Sequence, residues 1–333
     1  MRAVVLVGGE GTRLRPLTET VPKPLLPLVD RPILDHVLDH LVRHGVDEVV
    51  MSSPYLEQTF EPFIASRGGV PTITWVTERE PLGTGGAIVS VLDRLGDDPF
   101  FALNGDILTD LDLGAMRETH RARSAGGTIA LHHVEDARPF GWIETTQDGR
   151  ITAFREKPRD PIPGDVNAGT YLLDPAALRT WEPETTISIE TEIFPALIRR
   201  GVAMFGFAAE AYWLDLGTPE QYLRAHVDLL SGRLAGSSYA SPWVGPGASV
   251  DGSAEVGPTV AVGPGASIGP GAVIDRSVVL GGAAVEVGAR VAGSILGAGS
   301  VVGSEADVRD SVVGPGARIP SGARLDGDRV SAR

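Results

Sequence analysis

The stretch "LVGGEGTRLRPLTETVPKPLLP", residues 6 to 27, closes a strand-like apolar run with three glycines, adds two arginines, and then holds a lysine between two prolines. Gly8, Gly9 and Gly11 directly follow the run "AVVLV", so their N–H groups can approach an anion without obstruction by a Cβ. Arg13 and Arg15 can add charge-assisted bonds to phosphate oxygens. Pro22 and Pro24 stiffen the chain on both sides of Lys23, which reduces the entropy lost in aiming its ammonium. Two familiar loops are excluded: Leu14 stands where the dinucleotide fingerprint needs its third glycine, and no Gly-Lys-Ser/Thr ends a P-loop.

The rest of the composition sharpens this. The chain has 333 residues and 42% hydrophobic content, enough for two domains with real cores. No apolar run approaches the roughly 20 residues of a membrane helix, and "MRAVVLVGG" is a strand pattern without a cleavage site, so a soluble, cytoplasmic protein is expected. Zero cysteines exclude disulfides, thiolate nucleophiles and Cys-ligated zinc. A net charge of −14 argues against wrapping a nucleic acid, whereas a small anionic ligand needs only a few local cations. Of the 29 basic residues only two, Lys23 and Lys157, are lysines. Both are candidates for sites where a compact ammonium serves and a forked guanidinium does not.

Residues 1 to about 231 alternate apolar runs ("AVVLV", "DEVVMS", "TITWVT", "FFALNGD") with helical patterns such as Pro32 to His44, which predicts an α/β domain with a largely parallel sheet. "GGTIALHHV", "GWIETTQDGRITAF" around an Asp148-Gly149 turn, and "NAGTYLL" predict an added antiparallel or mixed portion, and a helix over 218–231 closes the domain. A composition change at 232–243 predicts a linker. Beyond it, over 244–330, Val244, Val250, Val256, Val262, Ile268 and Ile274 recur every six residues, the period of a parallel β-helix whose apolar residues point into the axis. This part resembles left-handed hexapeptide-repeat β-helices. Further on, Ile274, Val291, Val308 and Leu325 are 17 apart, as are Ser277, Ser294 and Ser311, so each later coil is expected to have two six-residue faces and one five-residue face.

The opening stretch is similar to the signature of the sugar-nucleotide pyrophosphorylases (nucleotidyltransferases), GGxGTRLxPLT followed by PKPLxP. The likeness continues in order through "EPLGTGG" (80–86), "LNGD" (103–106), "FGWI" (140–143), "FREKP" (154–158), "NAGTYLL" (167–173), "SIETEIFP" (188–195) and "YWLDLGTPEQYL" (212–223). The resemblance, closest to the guanylyltransferase branch, implies a Rossmann-like domain with a mixed sheet. It also implies in-line attack of a sugar 1-phosphate on the α-phosphorus of a nucleoside triphosphate, with pyrophosphate leaving. Carried over by position, Arg13 and Lys23 become the catalytic cations, while Leu6, Gly8, Gly9, Gly11, Thr12, Arg13, Gly83, Thr84 and Asp106 serve the nucleotide. Gly141, Glu156, Lys157, Asn167 and Glu190 serve the sugar phosphate, and Asp106 and Asp215 hold one Mg²⁺. Glu80 is placed to accept from the N1–H and N2–H₂ of guanine. Phe140 stands where the family has Tyr before the glycine, and "GTGG" replaces "GTAG". The first change removes a hydroxyl near the expected sugar pocket. Another base, another sugar-like phosphate, or a non-catalytic regulatory subunit are the competing expectations.

Two signals are set aside. His36, His40 and His44 are spaced like a metal stripe but fall off the apolar face of Leu34, Val37, Leu38 and Leu41, so a solvated stripe is expected. "GASIG" at 265–269 matches a nucleophile elbow but lies inside the repeat. No His follows His226, so the β-helix lacks an acyltransferase histidine and is expected to serve assembly, in a homo-oligomer, or regulation.

Overall fold

The computed structural model describes residues 1–9, 11–54 and 57–332, so Glu10 of the signature lies outside the described residues. The chain packs as two compact units: Met1–Gly8 with Val37–Trp213, and Gly9–His36 with Leu214 onward.

The first unit is built on a nine-stranded mixed sheet. Its strands are β1 (Arg2–Leu6), β2 (Glu48–Ser53), β3 (Thr72–Thr77), β4 (Phe100–Asn104), β5 (Gly127–Val134), β6 (Gly141–Thr145), β7 (Ile151–Glu156), β8 (Gly164–Leu173) and β9 (Met204–Ala208). The order β7-β6-β8-β4-β1-β2-β3 puts β1 inside; β5 joins through β8, and β9 joins through β5. Strands β1 to β4 are parallel, with Val4 opposite both Val50 and Ala102. A strand covered on both faces needs an unbroken apolar run, and Ala3, Val4 and Val5 are fully buried. β8 runs antiparallel to β4 and β5, and β6–β7 is the hairpin expected around Asp148-Gly149, where Gly149 takes φ +84°. In an open parallel sheet the ligand side lies beyond the carboxyl ends of the strands. Leu6, Asn104 and Ser53–Pro54 all stand at that end.

The second unit contains the predicted coil, three parallel sheets consistent with a left-handed β-helix. Ile274, Val291, Val308 and Leu325 are in register on one sheet, as the 17-residue period requires. Val262, Ile268, Ile274, Val279, Val285 and Val291 fill the axis, each contributing roughly 2 kcal/mol by burial. At the five-residue face the serines form a ladder. Ser277 Oγ donates to the Asp275 carbonyl (2.7 Å) and accepts from Ser294 N–H (3.1 Å), and Ser294 does the same with Ala292 and Ser311 N–H. The corner just before each serine is left-handed, at Arg276 (φ +41°), Gly293 (+59°) and Asp310 (+44°), and so is the equivalent Gly327 (+72°), which precedes Asp328. Two of these are not glycine, so the corner geometry is imposed by stacking rather than by glycine itself. Val244 and Val250 occupy the same register as Val262 and Ile268 yet remain 45% and 38% exposed, because the first coil has a neighbouring coil on one side only.

The histidine expectation is corrected. Helix α1 (Ile33–Arg43) is covered on a second side, leaving His36 6% and His40 3% exposed, with His44 half-buried. The His36 ring nitrogen Nε2 sits 3.0 Å from the Leu28 carbonyl, and the His40 ring meets His44 edge-on at 4.7 Å. Burial, with His44 and Arg43 nearby, pushes His40 down to about 3, so it stays neutral near pH 7.

Candidate functional site

In the second unit the signature loop turns sharply after the glycines. Gly11 adopts φ +61° and leads the short 3₁₀ turn Thr12–Leu14; a Cβ on it would meet the Lys23 Cβ and Thr18 Cγ2, each at 3.1 Å. Thr18 Oγ1 donates to the Gly11 carbonyl at 2.8 Å, fixing the turn against the segment that carries Lys23. Thr12 and Arg13 are exposed, whereas Leu14, Pro16 and Leu17 are buried beneath them. Lys23 opens a second 3₁₀ turn, Lys23–Leu25, directly after Pro22, and is only 6% exposed. Its ammonium lies 4.0 Å from Asp215 Oδ1. A Cβ on Gly217 would stand 2.5 Å from Arg13 Nη2 and 3.2 Å from Asp215 Oδ1, so the missing side chain makes room for the guanidinium beside that carboxylate. Arg13, Lys23 and Asp215, from two distant motifs, therefore form one cluster.

In the first unit the strand ends bring together the other motifs. Gly8 packs so closely on Pro54 that a Cβ would sit 2.9 Å from its Cδ. Asp106 stands in the turn after β4, where Gly105 N–H donates to the Leu6 carbonyl at 2.9 Å. Glu190 Oε2 accepts from Thr84 Oγ1 (2.6 Å) and Ser188 Oγ (2.8 Å), joining a residue assigned to the sugar with one assigned to the nucleotide. Asn167 uses its Oδ1 for Gly169 N–H and its Nδ2 for the Tyr171 hydroxyl, both at 2.9 Å, which shapes the bulge in β8. Lys157, at φ +47°, reaches into solvent with its ammonium 3.6 Å from Glu156 Oε1. Burial raises the Glu156 carboxyl, the Lys157 ammonium opposes this, and Glu190 adds to it.

Some contributors carried no signal in the linear pattern. Tyr171 is fully buried; burial raises its hydroxyl well above the usual range, and the charges of Glu190, Glu156 and Asp106 act in the same direction. Three motif carboxylates therefore lie within electrostatic reach of one ring. Glu80 is exposed, and the buried acid of that segment is Glu78, whose oxygens accept from Ser52 Oγ (2.9 Å) and Leu82 N–H (3.0 Å). Glu78 thus fixes the approach to Gly83 and Thr84. Trp213 stacks on His132 at 4.7 Å and meets the Phe140 edge at 5.3 Å, so the phenylalanine is used in packing.

Gly141 faces a tight wall: a Cβ would fall 2.6 Å from Phe154 Cζ and 2.8 Å from Glu156 Oε2. Gly141→Ala must push that carboxylate aside, an overpacking cost of about 2 kcal/mol. On the sugar-phosphate role that the resemblance implies for Gly141 and Glu156, the expected result is a KM for sugar phosphate raised roughly tenfold or more, with the KM for nucleotide little changed, read from steady-state kinetics and a melting curve.

The donor chemistry fits a hard cation. Among the described residues no group of three or more His, Cys, Asp or Glu gathers as a cage. Mg²⁺ at phosphoryl sites is typically held by one or two carboxylates plus substrate oxygens, and Asp215 offers one such carboxylate beside the Lys23 ammonium and the Arg13 guanidinium.

A nucleotidyl transferase family model matches residues 2–232. The chain belongs to the nucleotidyl transferase family. A GMPPB C-terminal domain model matches residues 240–332 of this family member. Mannose-1-phosphate guanylyltransferase of Mycobacterium tuberculosis is 39% identical over 232 residues, covering 69% of this chain and 65% of that protein. The catalytic subunit beta of the Danio rerio mannose-1-phosphate guanylyltransferase is 38% identical, covering 67% and 63%. The matched region therefore spans slightly less than two thirds of these relatives. Among solved structures, HddC of Yersinia pseudotuberculosis is 27% identical with a TM-score of 0.60, covering 67% of this chain and 97% of that one; the same protein complexed with GMP-PN gives 0.58. No helix among the described residues is long and apolar enough to cross a membrane.

Proposed function

We propose that the chain transfers GMP from GTP to mannose 1-phosphate, releasing pyrophosphate and forming a GDP-sugar. The observation that carries this reading is the cluster in which the two signature cations, Arg13 and Lys23, flank the Asp215 carboxylate. The relatives named as guanylyltransferases and the neighbour seen with GMP-PN support the choice of base and sugar.

In the reaction a phosphate oxygen of the sugar 1-phosphate forms a bond to the α-phosphorus while the α–β anhydride bond breaks and its electron pair leaves with pyrophosphate. Little covalent work falls to the protein, so positioning and charge stabilisation dominate. In this reading the N–H groups around Leu6, Gly8, Gly9, Gly11 and Thr12 cradle the triphosphate, and Arg13 and Lys23 stabilise charge at the α-phosphate. Glu80, Gly83 and Thr84 serve the nucleotide. Gly141, Glu156, Asn167 and Glu190 orient the sugar, and Lys157 binds its phosphate. Mg²⁺, liganded by Asp106 and Asp215, would neutralise phosphate charge when bound. We assign catalysis to residues 1–231, a linker to 232–243 and assembly of a cytoplasmic homo-oligomer to the coil over 244–330.

A pyrophosphate-release screen of GTP, ATP, UTP and dTTP against mannose, glucose, heptose and cyclitol 1-phosphates tests the reading. GTP with mannose 1-phosphate is expected to give the highest kcat/KM. Strong turnover with UTP or dTTP and none with GTP would overturn the base assignment. The packing of Phe140 against Trp213, in place of a tyrosine hydroxyl, makes another sugar the second reading.

A further inference from the structure

We propose that the last coil of the β-helix belongs to the catalytic apparatus, with Arg329 as a positioning residue that holds the phosphate loop at Arg13. The inference rests on the reading above, in which Arg13 grips the triphosphate.

Arg329 begins the final strand, Arg329–Val330, which continues the coil in parallel register with Val312–Val313. Its Nη1 donates to the Arg13 carbonyl at 3.0 Å. That carbonyl is offered outward by a turn whose own bonds run from Leu14 N–H to Gly11 and from Arg15 N–H to Thr12. The other guanidinium nitrogen, Nη2, lies 3.7 Å from Glu220 Oε1, in the first turn of the helix Pro219–Leu230 that follows Asp215 and Gly217. One fork thus ties the coil to both segments of the Arg13–Lys23–Asp215 cluster.

Two further contacts reach the same loop from the same end of the coil. Ser331 Oγ donates to Glu19 Oε1 at 3.0 Å. Gly314, on the coil's preceding turn, meets Pro16 so closely that a Cβ would lie 2.9 Å from the proline Cβ. Residues 13, 16 and 19 are therefore all held by residues between 314 and 331. The loop needs such support. Thr12–Leu14 is a single 3₁₀ turn without a side-chain cap, and Arg13 itself is exposed. A short 3₁₀ turn is weakly ordered on its own, and small displacements of a phosphate-binding cation are costly to rate.

The test uses the full chain, with steady-state kinetics in which nucleotide and sugar phosphate are varied separately, and melting curves alongside. Arg329→Ala is expected to lower kcat/KM for nucleotide about tenfold and to leave the KM for sugar phosphate within about twofold. Arg329→Lys, which keeps a donor for the Arg13 carbonyl, should recover part of the loss. Arg329→Met keeps most of the stem without a donor or a charge and supplies the same readout if the alanine variant does not fold. Wild-type nucleotide kinetics in a folded Arg329 variant, beside an inactive Arg13→Ala, would overturn the positioning role while leaving the reading of Arg13 standing. An Arg13→Ala enzyme with undiminished turnover would overturn both.

Discussion

Lys23→Ala is expected to lower kcat by about a thousandfold, the scale seen when one preorganised donor to developing charge is removed. The structure gives the reason for so large a figure. Lys23 is almost fully buried, its backbone is set by Pro22 and Pro24, and its ammonium lies beside Asp215 rather than in bulk water. A cation held in a partly dry site acts more strongly on a phosphate than a solvated one and needs no reorganisation when the reaction occurs. Lys23→Arg is expected to recover little of the loss, because a wider, planar guanidinium must be fitted on a stem that is only 6% exposed. Rapid-quench or coupled pyrophosphate assays at saturating substrates read the effect. Unchanged turnover in Lys23→Arg would refute the argument from ammonium size.

The second large effect is expected at Asp215. Asp215→Asn keeps the shape, so the melting temperature should move little, but it removes the negative charge adjoining Lys23 and Arg13. Two things follow together: weaker affinity for Mg²⁺, and a local excess of positive charge in the absence of metal. Turnover at ordinary Mg²⁺ concentrations is expected to fall by about two to three orders of magnitude. Part of the loss should return at high Mg²⁺, since a carboxamide oxygen is still a ligand though a weak one. Near-normal rates across a Mg²⁺ titration would overturn the proposed metal role of Asp215.

Much of the architecture was legible because it is periodic or local. The runs at 72–77 and 100–104, the Asp148-Gly149 hairpin and the 17-residue stagger of the coil all appear where spacing places them. What spacing could not convey is which side of a regular element has a neighbour. Val244 and Val250 obey the six-residue rule and are nonetheless exposed, because periodicity does not identify the terminal rung. His36 and His40 lie off the apolar stripe of their helix and are nonetheless buried.

The site divides in the same way. Glycines and cations in the signature are consecutive and can be read directly. The link from Glu190 to Thr84 spans 106 positions, that from Glu78 to Ser52 spans 26, and that from Arg329 to Arg13 spans 316. Such pairs leave no local pattern, because each partner is an ordinary polar residue until the fold brings them together. Tyr171 is the clearest instance: within "NAGTYLL" it reads as a strand aromatic, and only the fold buries it completely and lets the charges of Glu190, Glu156 and Asp106 act on its hydroxyl.

Solenoids ordinarily tolerate gain or loss of whole repeats, since each turn touches only its neighbours. This coil is different at its far end, where Arg329 and Ser331 meet Arg13 and Glu19. One inserted or deleted turn would shift that end by a strand spacing of about 4.8 Å, more than a hydrogen bond can follow. The number of turns is thereby a fixed dimension of this unit, a gauge length that brings Arg329 and Ser331 to Arg13 and Glu19.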